Sequence, residues 1–412
     1  AGKWWSSFSD SKLSSLLSQA EKANPEAQAA LARLDQSRAI LGLSRADRIP
    51  TLTGEALISR QRDTQRDVFE LPGEPYTRYR AALNLNYEID FWGRVRRTIN
   101  RQKALTQAVA ADYITAQLST KAEVARDYLA LRHLDEEIQL LANTVKLREE
   151  NEGLVKVRVD VGATTPIDSS RARSLTETAR AELFRLKQRR TELENAIAVL
   201  TGANPSSFRI GQASPPRTPS IPAGVPADLL RRRPDVAATE RRLASAAEEV
   251  GITLASYLPR VSLTASSGFA ALSASELFDS RSRLWNFGPE VSFSTLTFGR
   301  KKNDVERARA TYREGLAKHR QSVLSAFRDV ENALSGITNL DRALAAQRKS
   351  ADASEEAARL IQLRYDTGIV SFFEVIAAQR ESLTEQRALS QTRAARQQAT
   401  VQLIQALGGG WR

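Results

Sequence analysis

Residues 83–91 read LNLNYEIDF and alternate strictly. Leu83, Leu85, Tyr87, Ile89 and Phe91 are apolar; Asn84, Asn86, Glu88 and Asp90 between them are polar. A period of two predicts a strand with one apolar and one polar face. Val261, Leu263 and Ala265 alternate in the same way with Ser262, Thr264 and Ser266, and Val291 and Phe293 with Glu290, Ser292 and Ser294. A weaker run surrounds Leu52, Ala56 and Ile58. Four strands of about ten residues are predicted, as hairpins over about 49–91 and 259–298. Elsewhere the apolar period is seven. Val124, Leu131, Ile138 and Val145 carry it, with Leu134 and Leu141 between, and Val330, Ile337 and Leu344 carry it again with Leu340 between. Such a repeat is the seam along which long helices lie side by side. No proline interrupts 95–160, which predicts a rod of roughly 100 Å that needs neighbours along its length.

The two patterns recur at a fixed distance. RVDVGATTPID (158–168) and RYDTGIVSFFE (364–374) share Arg158 with Arg364, Asp160 with Asp366 and Gly162 with Gly368, all at an offset of 206. Gly93–Arg94 and Gly299–Arg300 keep the same offset, as do Val124 and Val330. The chain therefore reads as two tandem repeats, 1–205 and 227–412, each a helix, a strand hairpin and two long helices joined at a tip. Between them lies a connector, 206–226, in which Pro215, Pro216, Pro219, Pro222 and Pro226 exclude a regular helix.

Strands of this length either half-bury in a soluble domain or cross a bilayer as barrel staves. Glu88 and Asp90 on the polar face suit a water-filled lumen, and Tyr87, Phe91, Trp92, Trp285 and Phe287 near the strand ends suit an interfacial aromatic girdle. Four strands do not close a membrane barrel, and an open edge in lipid costs several kcal/mol for each unpaired backbone group. The membrane reading thus requires several copies: three would supply twelve strands, with the helices standing below them as a cylinder. A soluble coiled-coil scaffold is the competing architecture.

Composition removes other classes. The 60 Lys and Arg are interleaved with 48 Asp and Glu, so the net charge of +12 describes solvated helix faces and no nucleic-acid surface is expected. There is no Cys for disulfides or thiolate ligands, and His133 and His319 stand apart from any ligand cluster. No phosphate loop, HExxH or GxSxG motif occurs, so no catalytic, cofactor or metal residue is assigned and no enzyme is expected. The RRR run at 231–233 reads either as an anion patch or as the start of a helix with its arginines paired locally.

Several segments resemble outer-membrane efflux proteins of the TolC and OprM type. They are WWSSFSD (4–10), DFWGRVRR (90–97), the stretch 221–266 that contains LLRRRPD, FGRKKNDVERARATY (298–312) and ALGGGW (406–411). The resemblance implies a mainly α-helical fold with a β-barrel portion. In it, a homotrimer forms a twelve-stranded barrel in outer-membrane lipid, continued by a periplasmic helical barrel. It implies a passive exit duct for drugs or toxic small molecules, working with a periplasmic adaptor protein and an inner-membrane transporter, usually proton-driven. A type I protein-secretion duct is the alternative within the same family. Many members of the OprM branch carry a lipidated N-terminal Cys, and such an anchor would need a residue ahead of Ala1.

The tips carry the remaining expectations. Each Gly supplies the positive φ that ends one helix. Pro166 and Asp168 suit the start of the next helix, and the second tip continues instead into Ser371, Phe372, Phe373 and Glu374. The resemblance implies that the second tip closes the periplasmic mouth, with Phe373 at an apolar constriction and Glu374 in an acidic ring. A further acidic position of the family falls on Ala377, a departure from a two-ring gate. Phe372, Phe373 and Glu374 are the candidate gate, with packing of the two Phe between helices as the alternative. Arg158, Asp160, Gly162, Arg364, Asp366 and Gly368 are the candidate adaptor contacts, and Asn84, Asn86, Glu88 and Asp90 the candidate barrel lining.

Overall fold

A computed structural model describes residues 4–62, 74–219, 233–293 and 297–409. The end of the connector (220–226), Arg231, Arg232, Ser294, Gly410 and Trp411 lie outside the described residues. The chain divides into two compact units, one of residues 33–110 and 238–321, the other of 1–32, 111–237 and 322–412.

The first unit holds the strands. β1 (Thr51–Gln61), β2 (Tyr76–Ile89), β3 (Arg260–Ala271) and β4 (Arg283–Ser292) form one antiparallel sheet in the order β1-β2-β3-β4. The two expected hairpins are thus joined by a pairing of β2 with β3, from Tyr79 opposite Ala271 to Ile89 opposite Val261. Because side chains alternate across a strand, the register sorts the faces. Thr53, Asn84, Ser266 and Asn286 form one row across the polar face, and Leu52, Leu85, Ala265 and Phe287 form the next row on the apolar face. The apolar side chains are bare: Leu83 is 55% exposed, Phe287 67% and Trp285 79%. Phe91 and Trp92, expected at a strand end, fall in the turn before the helix α3 (Arg94–Asp160), and the Trp92 indole donates to the Pro259 carbonyl at 2.7 Å. The helix α5 (Pro234–Ala255) is tied to α3 by ion pairs Arg97–Glu248 (3.1 Å) and Arg101–Glu249 (2.7 Å).

The second unit holds most of the core. A short turn, Trp4–Phe8, leads into α1 (Ser11–Ala23) and α2 (Pro25–Ala46). Asp10 caps α1, accepting from the Leu13 amide at 2.9 Å, and also takes the Tyr128 hydroxyl at 2.8 Å. Trp4, Phe8, Leu13, Leu16 and Leu17 pack on Val124, Tyr128 and Leu131 of α3. Farther along, Leu134, Ile138, Leu141 and Val145 meet Ala179, Leu183 and Leu186 of α4 (Pro166–Leu200), so the seven-residue seam is the buried one. The second copy continues with α6 (Arg300–Asp366) and α7 (Phe372–Ala406). α3 and α6 have 67 residues each, α4 and α7 have 35 each.

Where α4 ends, Gly202 has φ +70 and an added Cβ would collide with the carbonyl oxygen of Ala23 at the end of α1. Asn24 fastens the same corner, donating to the Leu200 carbonyl and accepting from the Ala27 amide, each at 2.9 Å. Gly202→Ala therefore forces both an unfavourable φ and a backbone shift. A loss of about 1–3 kcal/mol from the dihedral alone is expected, read as a lower thermal midpoint of the purified protein. An unchanged midpoint would contradict this packing.

Candidate functional site

Both tips are built the same way. At the first, the Ala163 amide donates to the Arg158 carbonyl (2.8 Å) and the Gly162 amide to Val159 (2.9 Å). At the second, Ile369 donates to Arg364 and Gly368 to Tyr365, both at 2.9 Å. These paired bonds across a left-handed glycine satisfy the last carbonyls of a helix, and Gly162 and Gly368 have φ +73 and +77. Open space surrounds both glycines where a Cβ would stand.

The helices that follow start differently. Thr164 and Thr165 donate to Asp168 Oδ2 at 2.7 and 3.0 Å, and these hydroxyls, Thr164 first, hold the carboxyl below its ordinary range. Ser371 opens α7 with a loose capping box: Glu374 Oε1 lies 3.4 Å from its hydroxyl and 3.5 Å from its amide. Glu374 thus has a local task at the helix start besides any role in a channel. It also lines a cleft of about 460 Å³ between α6 and α7, together with Ala377, Glu381 and Glu385.

The structure brings the two tips together. The Arg158 guanidinium lies over the Tyr365 ring at 4.5 Å, and Phe372 packs on the same ring at a centroid distance of 5.6 Å and 45°. Phe372 is half-buried, whereas Phe373 is 62% exposed. Asp160 and Arg364 are exposed, and Asp366 accepts from Gln362 at 3.0 Å. Tyr365, the ring between Arg158 and Phe372, was not among the residues singled out from sequence; the only signal was its place beside Arg364 in the repeated tip.

On the sheet, Asn84 donates to Glu55 (3.0 Å) and accepts from Ser266 (2.7 Å), while Asn86 sits between Thr51 and Thr264. Glu88 receives both the Nε and Nη2 of Arg94, at 2.8 and 2.7 Å. Asp90 lies just past β2, where its two oxygens accept the Val95 and Arg96 amides at 2.9 Å each, so it caps α3. Of the RRR run, Arg233 is buried. It chelates Asp235 (3.1 and 2.7 Å), a local pair at a helix start, and beyond it reaches Asp329 of α6 (3.3 Å) and donates to the Ala406 carbonyl at the end of α7 (3.1 Å).

The profile of outer membrane efflux proteins matches this chain twice, over residues 16–203 and 225–409. The chain belongs to the outer membrane efflux protein family. Outer membrane protein OprJ of Pseudomonas aeruginosa is 32% identical over 99% of this chain and 86% of its own length. The toluene efflux pump outer membrane protein TtgI of Pseudomonas putida is 30% identical over 98% of this chain and 86% of its own. Among solved structures, the outer-membrane channel OprN superimposes with a TM-score of 0.93 at 31% identity, covering 99% of this chain and 92% of that one. As an outer membrane efflux protein, the chain is an efflux duct that sits in the outer membrane and extends into the periplasm.

Proposed function

We propose that three copies form the passive exit duct of a tripartite pump for small toxic compounds. A periplasmic adaptor docks at the tips, and an inner-membrane transporter, proton-driven, supplies the work. The observation that carries the reading is the sheet: one apolar face, one polar face, and, among the described residues, β1 and β4 each with a strand on only one side. Such edges are tolerable in lipid only when another copy pairs with them. The substrate class follows that of the relative TtgI, a toluene efflux pump outer membrane protein. The polar face, with Asn84, Asn86 and Glu88, lines the lumen. Phe372, Phe373 and Glu374 form the periplasmic gate, and Arg158–Thr165 with Arg364–Ser371 meet the adaptor.

The test is complementation of a strain that lacks its own duct. The wild-type chain, present as trimers that survive mild SDS, restores tolerance to toluene. Gly162→Trp and Gly368→Trp keep the trimers and lose tolerance, because the bulk stands where the adaptor docks. Trimers that never restore tolerance, or full tolerance in both variants, would overturn the reading.

A further inference from the structure

The apolar face of the sheet has a groove near its loop end. Residues that share a row share a face, and the register places Ala56, Ala81, Phe269 and Arg283 in one row, next to a row holding Gly54 and Trp285. Gly54, Ala56 and Ala81 leave the floor shallow of side chains. Trp285 walls one side, and Phe278 walls the other, its ring edge-on to Phe269 at 5.5 Å and 70°. The volume is about 800 Å³. The turn that carries Phe278 is fastened rather than loose. Ser282 donates to the Glu276 carbonyl at 2.7 Å, and Asp279 accepts the Arg281 amide at 2.9 Å. The groove is therefore built, yet its walls are bare, with Phe278 72% exposed.

Arg283 stands at the mouth of this groove. The apolar run of β4 (Val291, Pro289, Phe287, Trp285) ends at it. From Val291 to Arg283 is about 27 Å along the strand at about 3.4 Å per residue. At a barrel tilt of about 40° that is about 20 Å of depth, close to the height of a lipid-facing band. Arg283 has no ion pair among the described residues, while Arg281 beside it is taken by Asp279. Arg60, at the same end of β1 and on the same face, also has no ion pair among the described residues. This end of the sheet is opposite the one at which α3 and α6 follow β2 and β4, so in a sheet that crosses the outer membrane, with the helices on the periplasmic side, it meets the outer leaflet.

We propose that the groove seats an acyl chain of a phosphorylated, multiply acylated glycolipid of the outer leaflet, with Arg283 on its phosphate. The proposal rests on the sheet crossing the outer membrane. The small floor residues admit a methylene chain, the aromatic walls bury it, and a cation waits where the apolar band stops. Arg60 on the same margin offers a second phosphate contact.

The test uses the purified channel in mild detergent, titrated with bisphosphorylated hexa-acylated lipid A and, separately, with dioleoyl phosphatidylglycerol, and read by native mass spectrometry. The wild type binds lipid A in preference to phosphatidylglycerol. Arg283→Ala weakens lipid A binding about fivefold, the effect of one arginine at an anionic lipid surface. Ala56→Phe weakens it by filling the floor, and Arg281→Ala leaves it unchanged. Equal binding of the two lipids by the wild type, or wild-type affinity in both Arg283→Ala and Ala56→Phe, overturns the proposal. Planar-bilayer conductance of the same preparations separates the failures: an intact conductance with no lipid preference sinks only this inference, and no conductance sinks the duct.

Discussion

Arg158→Ala is expected to raise the conductance of the channel in planar bilayers, and Tyr365→Ala to do the same. In each copy the Arg158 guanidinium over the Tyr365 ring joins the first tip to the second. A cation–π contact at an exposed site contributes about 0.5–1 kcal/mol. Three such contacts around the proposed trimer sum to about 1.5–3 kcal/mol, which moves a closed–open equilibrium by about ten- to a hundredfold. Phe372, at the start of α7, packs on the same ring, so releasing Tyr365 also frees the start of α7. Phe373→Ala acts downstream. In the proposed gate it removes the exposed apolar ring that would dewet the axis, and conductance is expected to rise without loosening the tips. Glu374→Gln lowers cation preference and leaves conductance nearer the wild type, since its loose contacts to Ser371 survive the change. Wild-type conductance in Arg158→Ala, Tyr365→Ala and Phe373→Ala together would exclude the second tip as the gate.

Asp135→Ala is expected to be the most damaging single change to stability. Its carboxylate accepts Arg132 at 3.0 Å and Arg190 at 2.6 Å, and its side chain is 3% exposed. The same arginines hold the connector: Arg132 donates to the Gly211 carbonyl and Arg190 to the Ile210 carbonyl, each at 2.6 Å. Glu194 accepts the Ile210 amide. Removing Asp135 leaves two guanidinium groups buried together with one carboxylate, Glu194, at 3.6 Å from Arg190. Breaking a buried pair in this way costs about 3–5 kcal/mol. A control is Asp35→Ala, which removes the exposed pair to Arg38 at 3.0 Å. Such surface pairs contribute about 0–1 kcal/mol. Thermal unfolding distinguishes the two, and limited proteolysis near residue 211 should find the connector released only in Asp135→Ala. Equal midpoints for the two variants would contradict the network.

The local patterns were the legible part of the fold. Val124, Leu131, Ile138 and Val145 are all buried, as their spacing requires. In the second copy the same spacing is covered less. Val330 is buried, yet Ile337 and Leu344 are only half-buried, and Leu360 and Leu363 are exposed. A seam states that a helix needs a neighbour but not whether the neighbour is in the same chain. The pairing of β2 with β3 was invisible for a similar reason, since alternation fixes faces and says nothing of partners far along the chain. Asp90 continued the alternation of 83–91 while acting as a helix cap, because a carboxylate satisfies both patterns. The contact of Arg158 with Tyr365 joins two repeats, so neither tip read alone contains it. The buried network around Asp135 has no periodicity to reveal it.

The two open strand edges also set a rule for biogenesis. Among the described residues a single copy carries β1 and β4 each paired on one side only, with bare Leu, Trp and Phe between them. Unpaired edges are sticky in water and intolerable in lipid. Such a copy has no stable resting place on its own in either phase. If three copies close the barrel as proposed, insertion is simultaneous with partner capture, and the yield of channel should fall faster than linearly as the supply of chain drops. In the proposed trimer, a single slow-folding subunit would delay its two companions as well, exposing all three to periplasmic proteolysis while they wait.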